Sequence, residues 1–151
     1  MAKKIFKPLA ILFGIITILV IFILGKPKST KYTNVEIGGT VIKVEIADTM
    51  EKQVRGLMFR ENLGENEGML FVFGREDFQG IWMMNMSFPI DIIWIDSGNN
   101  IVDVVKKAQP CRLDCPTHVP KERAKYVLEV NSGFAEKHGI KIGDTVDIGP
   151  V

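Results

Sequence analysis

Residues 90–107 read IDIIWIDSGNNIVDVVKK. Two runs rich in β-branched and aromatic side chains, 90–96 and 101–107, flank Ser97-Gly98-Asn99-Asn100, whose Gly and Asn accept positive φ. That pattern predicts an antiparallel hairpin. Working outward, VIKVEIAD at 41–48 alternates, with Ile42, Val44 and Ile46 on one face and Lys43 and Glu45 on the other, as a half-buried strand does. MLFVF (69–73), GIWMMNM (80–86) and KYVLEV (125–130) have the same strand character, and TVDI returns at 145–148 after the Gly143-Asp144 turn. Two short helices interrupt them. Asp48 with Glu51 forms a start like a capping box, followed by Met50, Val54, Leu57 and Met58 at helical spacing. Asn131 or Ser132 can cap a helix through FAEKH at 134–138, which Gly139 can end. Strands at this density without a helix between each pair predict a mainly β fold, a small antiparallel sandwich or barrel with two short helices.

The N-terminal end differs in kind. Leu9 to Gly25 runs without a charge, and with Ile5 and Phe6 upstream it is long enough as a helix to cross a bilayer core of about 30 Å. It exceeds the usual core of a cleaved signal and lacks an A-x-A site, so residues 1–25 are expected to be a basic cytoplasmic head and a retained transmembrane helix. A polar, proline-containing linker over 26–34 and a globular domain over 35–151 are expected to follow. Lysines flank the apolar run equally on both sides; the short basic head favours export, which places the domain outside the cytoplasm. All charges before Tyr32 are lysines, leaving 13 basic and 18 acidic side chains from there onward, a net charge of −5. That balance offers no footprint for nucleic acid.

Cys111 and Cys115 stand in PCRLDCP, where a tight turn can bring the α-carbons within disulfide range. An exported domain favours the disulfide; free thiols and a metal site remain open, although Cys111, Cys115 and His118 make an incomplete zinc set. In WMMNM, strand alternation would turn Met84 and Met86 away from Met83, which favours core packing over a copper site. His138 reads as a residue of the last helical turn, where a cation suits the helix dipole.

Four stretches resemble the small prokaryotic family known as domain of unknown function 192: GLMFR (56–60), EGMLFVF (67–73), WMMNMSFPID (82–91) and YVLEVNSGFAEKHGIKIGD (126–144). With the chain between them they cover nearly everything from Glu45 to Ile148. The resemblance implies a mainly β fold with small helices and no assigned reaction, and it marks Arg60, Trp82, Asn85, Asp91 and Glu129 as motif positions. Met86 stands where the family usually carries Thr.

Arg60, Asn85, Asp91 and Glu129 are polar groups among apolar neighbours. A carboxylate at the edge of a core needs a partner, and the planar arginine fork predicts a pair of Arg60 with Asp91 or Glu129. The cluster is either a structural lock or the lining of a pocket for a small polar ligand. Three functions follow. The first is a ligand-binding or accessory module at the outer membrane face, needing no cofactor, with a small polar ligand or an envelope protein as partner. The second is a hydrolase or transferase using Arg60, Asp91 and Glu129. The third is copper or zinc handling through Cys111, Cys115, His118 and the methionines.

Overall fold

The computed structural model describes residues 31–151. Strands β1 (Tyr32–Ile37) and β2 (Thr40–Ala47) form a hairpin through Gly38 and Gly39, both at positive φ, as a two-residue turn that matches strand twist demands. Helix α1 (Met50–Arg55) follows, with Thr49 as its N-cap; Asp48, the expected cap, instead pairs with Lys31 and Lys52. The chain then crosses over and returns as β3 (Glu67–Asp77), parallel to β2. The sheet is therefore mixed and not purely antiparallel, because α1 and the loop after it give enough chain to start the next strand at the same end.

After the short β4 (Ile81–Trp82) come β5 (Ile90–Ile95) and β6 (Ile101–Ala108), the expected hairpin, with Asn99 at positive φ in its turn. β7 (Thr117–His118), β8 (Ala124–Asn131), α2 (Phe134–Lys137) and β9 (Asp147–Ile148) complete the order. Seven strands make one sheet in the order β6-β5-β8-β3-β2-β1-β9, while β4 and β7 pair as a separate ribbon. The sheet curls into a half-barrel. Its far edges meet at one end, where Ile101 N–H donates to Asp144 O (2.8 Å) and Val146 N–H to Asn99 O (2.9 Å). Of the expected sandwich or barrel, the single curled sheet realises the second, as a half-barrel.

Two apolar clusters lie on the two faces of this sheet. Val44, Leu70, Ile93, Leu128 and Val130 pack on the inner face with Phe134 of α2. Leu57, Met69, Phe71, Ile92, Trp94 and Val127 pack on the outer face beneath the loops. Every residue of β5 is consequently buried. The expected strand over 80–86 ends at Trp82, and Asn85 turns the chain at φ 54°, so that Met83 and Met86 both bury instead of alternating.

β1 begins at Tyr32, inside the stretch expected to be linker. The hydrophobic helix expected near the N-terminus lies outside the described residues. Among those residues, no helix is long and apolar enough to cross a membrane.

Candidate functional site

Pairing registers decide which polar groups share a face. Glu45 on β2 stands opposite Met69 on β3, Met69 opposite Glu129 on β8, and Glu129 opposite Ile92 on β5. Side chains in one such row point to the same face. Asp91, next along β5, therefore points to the other. The two carboxylates expected in one cluster are separated by the sheet.

On the inner face, fully buried Asp91 is ringed by main-chain donors. Lys107 N–H (2.8 Å) and Gly133 N–H (3.2 Å) donate to Oδ1, and Ala135 N–H (2.8 Å) donates to Oδ2. Lys107 sits at φ 56° where the β5–β6 register shifts, a bulge that turns its N–H toward the carboxylate. Gly133 starts α2 in the left-handed conformation without a side-chain cap of its own. Asp91 takes the role expected of Asn131 or Ser132, whereas the Asn131 amide donates to Leu63 O and Gly64 O. Asp91 is a structural tie among β5, β6 and α2, and Arg60 does not reach it.

On the outer face the GLMFR stretch folds over the sheet. Gly56 ends α1 at φ 47°, and a Cβ there would meet the Phe71 ring at 3.3 Å. Leu57 buries, Phe59 stays exposed at φ 64°, and Arg60 forms an ion pair with Glu45, a partner the sequence had not suggested. Glu129 is 4% exposed, and among the described residues no hydrogen bond reaches its carboxyl. Burial pushes its pKa up from 4.5 to about 8, against a smaller downward pull from the nearby Arg60 charge. Burial therefore favours the protonated form of Glu129.

That carboxyl lines a small chamber of about 50 Å³, whose walls include Leu57, Met58, Phe71, Ile81, Trp82 and Met86. The chamber adjoins an open groove of about 310 Å³ floored by Phe71, Phe73 and Ile81 and flanked by Met50, Val54 and Trp82. Gln53, between them, spends its amide donors on Ala47 O and Val72 O. The groove is thus lined mainly by apolar surface, with Gln53 and Thr117 as its polar wall residues.

Asn85 does not line this space. Its main chain joins three segments: Phe59 N–H donates to Asn85 O (3.1 Å), Asn85 N–H to Cys111 O (3.0 Å), and Cys111 N–H to Met83 O (3.0 Å). An Asn is apt there because it tolerates positive φ. Cys111 and Cys115 are joined in a disulfide, with α-carbons 5.6 Å apart, and their loop braces the turn that carries Met86. His118 pairs with Ile81 across the β4–β7 ribbon. Among the described residues, no group of three or more His, Cys, Asp or Glu side chains converges as a metal site would require.

The motif residues thus divide between structural positions and one pocket, and comparison with known proteins gives this division a family setting. The family model DUF192, described as Uncharacterized ACR, matches residues 33–148. The chain belongs to this family. A UPF0127 protein of Thermococcus sibiricus is 37% identical over 107 residues, 70% of this chain and 65% of that protein. The match therefore spans less than two-thirds of that relative's length. A UPF0127 protein of Pyrococcus abyssi is 31% identical over 83% of this chain and 95% of its own. Among solved structures, a protein of unknown function from Novosphingobium aromaticivorans superimposes with TM-score 0.69 at 33% identity, covering 78% of this chain and 84% of that one. A proposed transcription regulator from Sinorhizobium meliloti gives TM-score 0.72 at 28% identity, covering 82% of this chain and 98% of that one. The activity of the DUF192 family is unassigned, so function rests on the pocket.

Sequence reasoning selected Glu129, Trp82 and Arg60 but missed Glu45, Phe71 and the α1 residues Met50, Gln53 and Val54 as site components. The helical spacing of Met50 and Val54, which predicts a short amphipathic helix, was the available signal for α1. Nothing in α1 is buried, and both side chains face the groove.

Proposed function

We propose that this DUF192 domain is a membrane-anchored, extracytoplasmic ligand-binding module whose pocket takes an uncharged, mostly apolar molecule with one small polar head. The observation that carries this reading is Glu129, a buried carboxyl without a protein partner at the end of an apolar groove. With only the narrow chamber as its access to solvent, that carboxyl is poorly hydrated, and a ligand that hydrogen-bonds it replaces a weak contact with water by a direct one. In its protonated form Glu129 can donate to a carbonyl, ether or hydroxyl oxygen and accept in return. The mainly apolar groove walls disfavour a charged ligand body, which narrows the expected polar ligand to one with an apolar bulk, whose small head meets Gln53, Arg55 and Glu129 in the chamber lining. The disulfide supports an oxidising compartment.

The enzyme reading loses its three-residue basis, because Asp91 and Glu129 occupy opposite faces and Arg60 is engaged by Glu45. The chamber lining brings one carboxyl and no second carboxylate, His or Cys to exchange a proton with it. Metal handling is disfavoured while both cysteine sulfurs are bonded to each other. The charge of −5 from residue 32 onward offers no footprint for nucleic acid, so the description of the Sinorhizobium meliloti protein as a transcription regulator is not carried over.

A thermal-shift panel on the fragment 31–151 tests the proposal with neutral amphiphiles, charged organic acids, sugars and nucleotides. Neutral amphiphiles should raise the melting temperature at pH 6, the shift should fade as pH passes about 8 and Glu129 ionises, and Glu129→Leu should lose it. A panel in which no neutral amphiphile shifts the melting temperature would refute the proposal.

A further inference from the structure

We propose that the groove between α1 and Trp82 faces the bilayer and admits an acyl chain of a neutral membrane lipid, so that the ligand arrives from the membrane and not from water. This rests on the pocket reading above and on the expected anchor in residues 5–25. Two observations set the direction.

The first is where the tether joins the domain. Lys31 O accepts from Ile46 N–H (2.9 Å), and Lys31 Nζ pairs with Asp48 Oδ2 (3.0 Å). Asp48 immediately precedes Thr49, the cap of α1, and the same helix supplies Met50, Gln53 and Val54 to the groove. The chain therefore enters the domain at the end where the groove opens. From Gly25, the last residue of the apolar run, the chain to Lys31 can reach about 20 Å at full extension. That reach keeps the junction, and the groove beside it, within about 20 Å of the end of the apolar run.

The second observation is the surface presented there. α1 buries none of its residues, and its apolar side chains stand out, with Met50 80% and Val54 56% exposed. Across the groove Trp82 is 41% exposed. An apolar helix face opposite a half-exposed Trp is costly in water and suited to the headgroup boundary, where Trp is favoured. Residues 32–151 carry a net charge of −5, which opposes approach of the domain itself to anionic lipid and favours a zwitterionic or uncharged one in the groove, while Lys26, Lys28 and Lys31 meet the headgroups beside the anchor. The unpartnered Glu129 carboxyl, at the inner end of the groove, is then placed to meet an ester or hydroxyl oxygen.

The test uses the full chain in phosphatidylcholine vesicles, with or without bromine atoms on the lipid acyl chains. The chain has two tryptophans, and Trp94 is buried with Nε1–H bonded to Gln79 O, so subtracting the signal of a Trp82→Phe variant isolates Trp82. The full chain should float with the vesicles, and brominated lipid should quench most of the Trp82 signal. Val54→Asp, at an exposed position, should restore that signal while leaving the melting temperature unchanged. Flotation without quenching of Trp82 would overturn the membrane-facing groove, and failure to float would overturn it by removing the tether. Neither result touches the fragment's response to amphiphiles in water, which decides the pocket reading separately.

Discussion

Asp91 and Glu129 are two acidic side chains on neighbouring strands, both buried, and the structure treats them oppositely. Asp91 has three backbone N–H donors around it, one from β6 and two from the start of α2. Glu129 has none, and faces a cavity. Burial alone therefore does not distinguish a structural carboxylate from a functional one; what distinguishes them is whether the protein itself supplies the hydrogen bonds. Asp91 is answered from within. Glu129 is left for something else to answer.

The largest effect should come from removing the answered group. Asp91→Ala strands three N–H donors, one buried and two part-buried, including those that start α2, and should cost about 3 kcal/mol in chemical denaturation. A loss below about 1 kcal/mol would mean that the three bonds add little, and the comparison would break on its structural side.

Glu129 should show itself through pH. Its proton is held in the folded state up to about pH 8 but released near 4.5 when unfolded. Between those values the folded protein binds the extra proton, so stability should fall as pH rises, by on the order of 1 kcal/mol per pH unit, and then level off. Below the lower value the contribution should be constant. Glu129→Gln should flatten the decline and leave the variant more stable than the parent at pH 8.5. A decline that persists unchanged in Glu129→Gln would assign it to other groups.

Smaller effects sharpen the same contrast. Replacing both Cys111 and Cys115 by Ser should cost about 2 kcal/mol on the chain-entropy account of a short loop, and should loosen the turn carrying Met86. Ligand affinity should fall with it; unchanged affinity would detach the loop from the pocket. Arg60→Met should cost no more than about 1 kcal/mol, because the Arg60–Glu45 pair is partly exposed. It should also raise the Glu129 midpoint further, since a nearby positive charge is lost. A downward move would contradict that arrangement.

Residues 90–107 are legible as a hairpin because turn chemistry and β-branched runs agree locally. The parallel pairing of β2 with β3 is not, since a crossover leaves the pattern of each strand unchanged. Nor is the separation of Asp91 from Glu129: β5 is buried on both faces, and the alternation that would assign a face is erased. Segment 80–86 carries strand-forming side chains, but tertiary packing of Met83 and Met86 and a left-handed Asn85 override them. Glu129 is recognisable as a carboxylate needing a partner; that the partner is missing is visible only once Arg60 is seen committed to Glu45.

The central claim is that Glu129 is an unpaired acid, protonated near neutrality. Its side-chain carboxyl carbon, followed by NMR across pH 3 to 10 with Glu129→Gln to assign the signal, tests this directly. The expected midpoint lies near 8 and is displaced when a neutral amphiphile is added. A midpoint at the ordinary glutamate value, insensitive to such ligands, would contradict it.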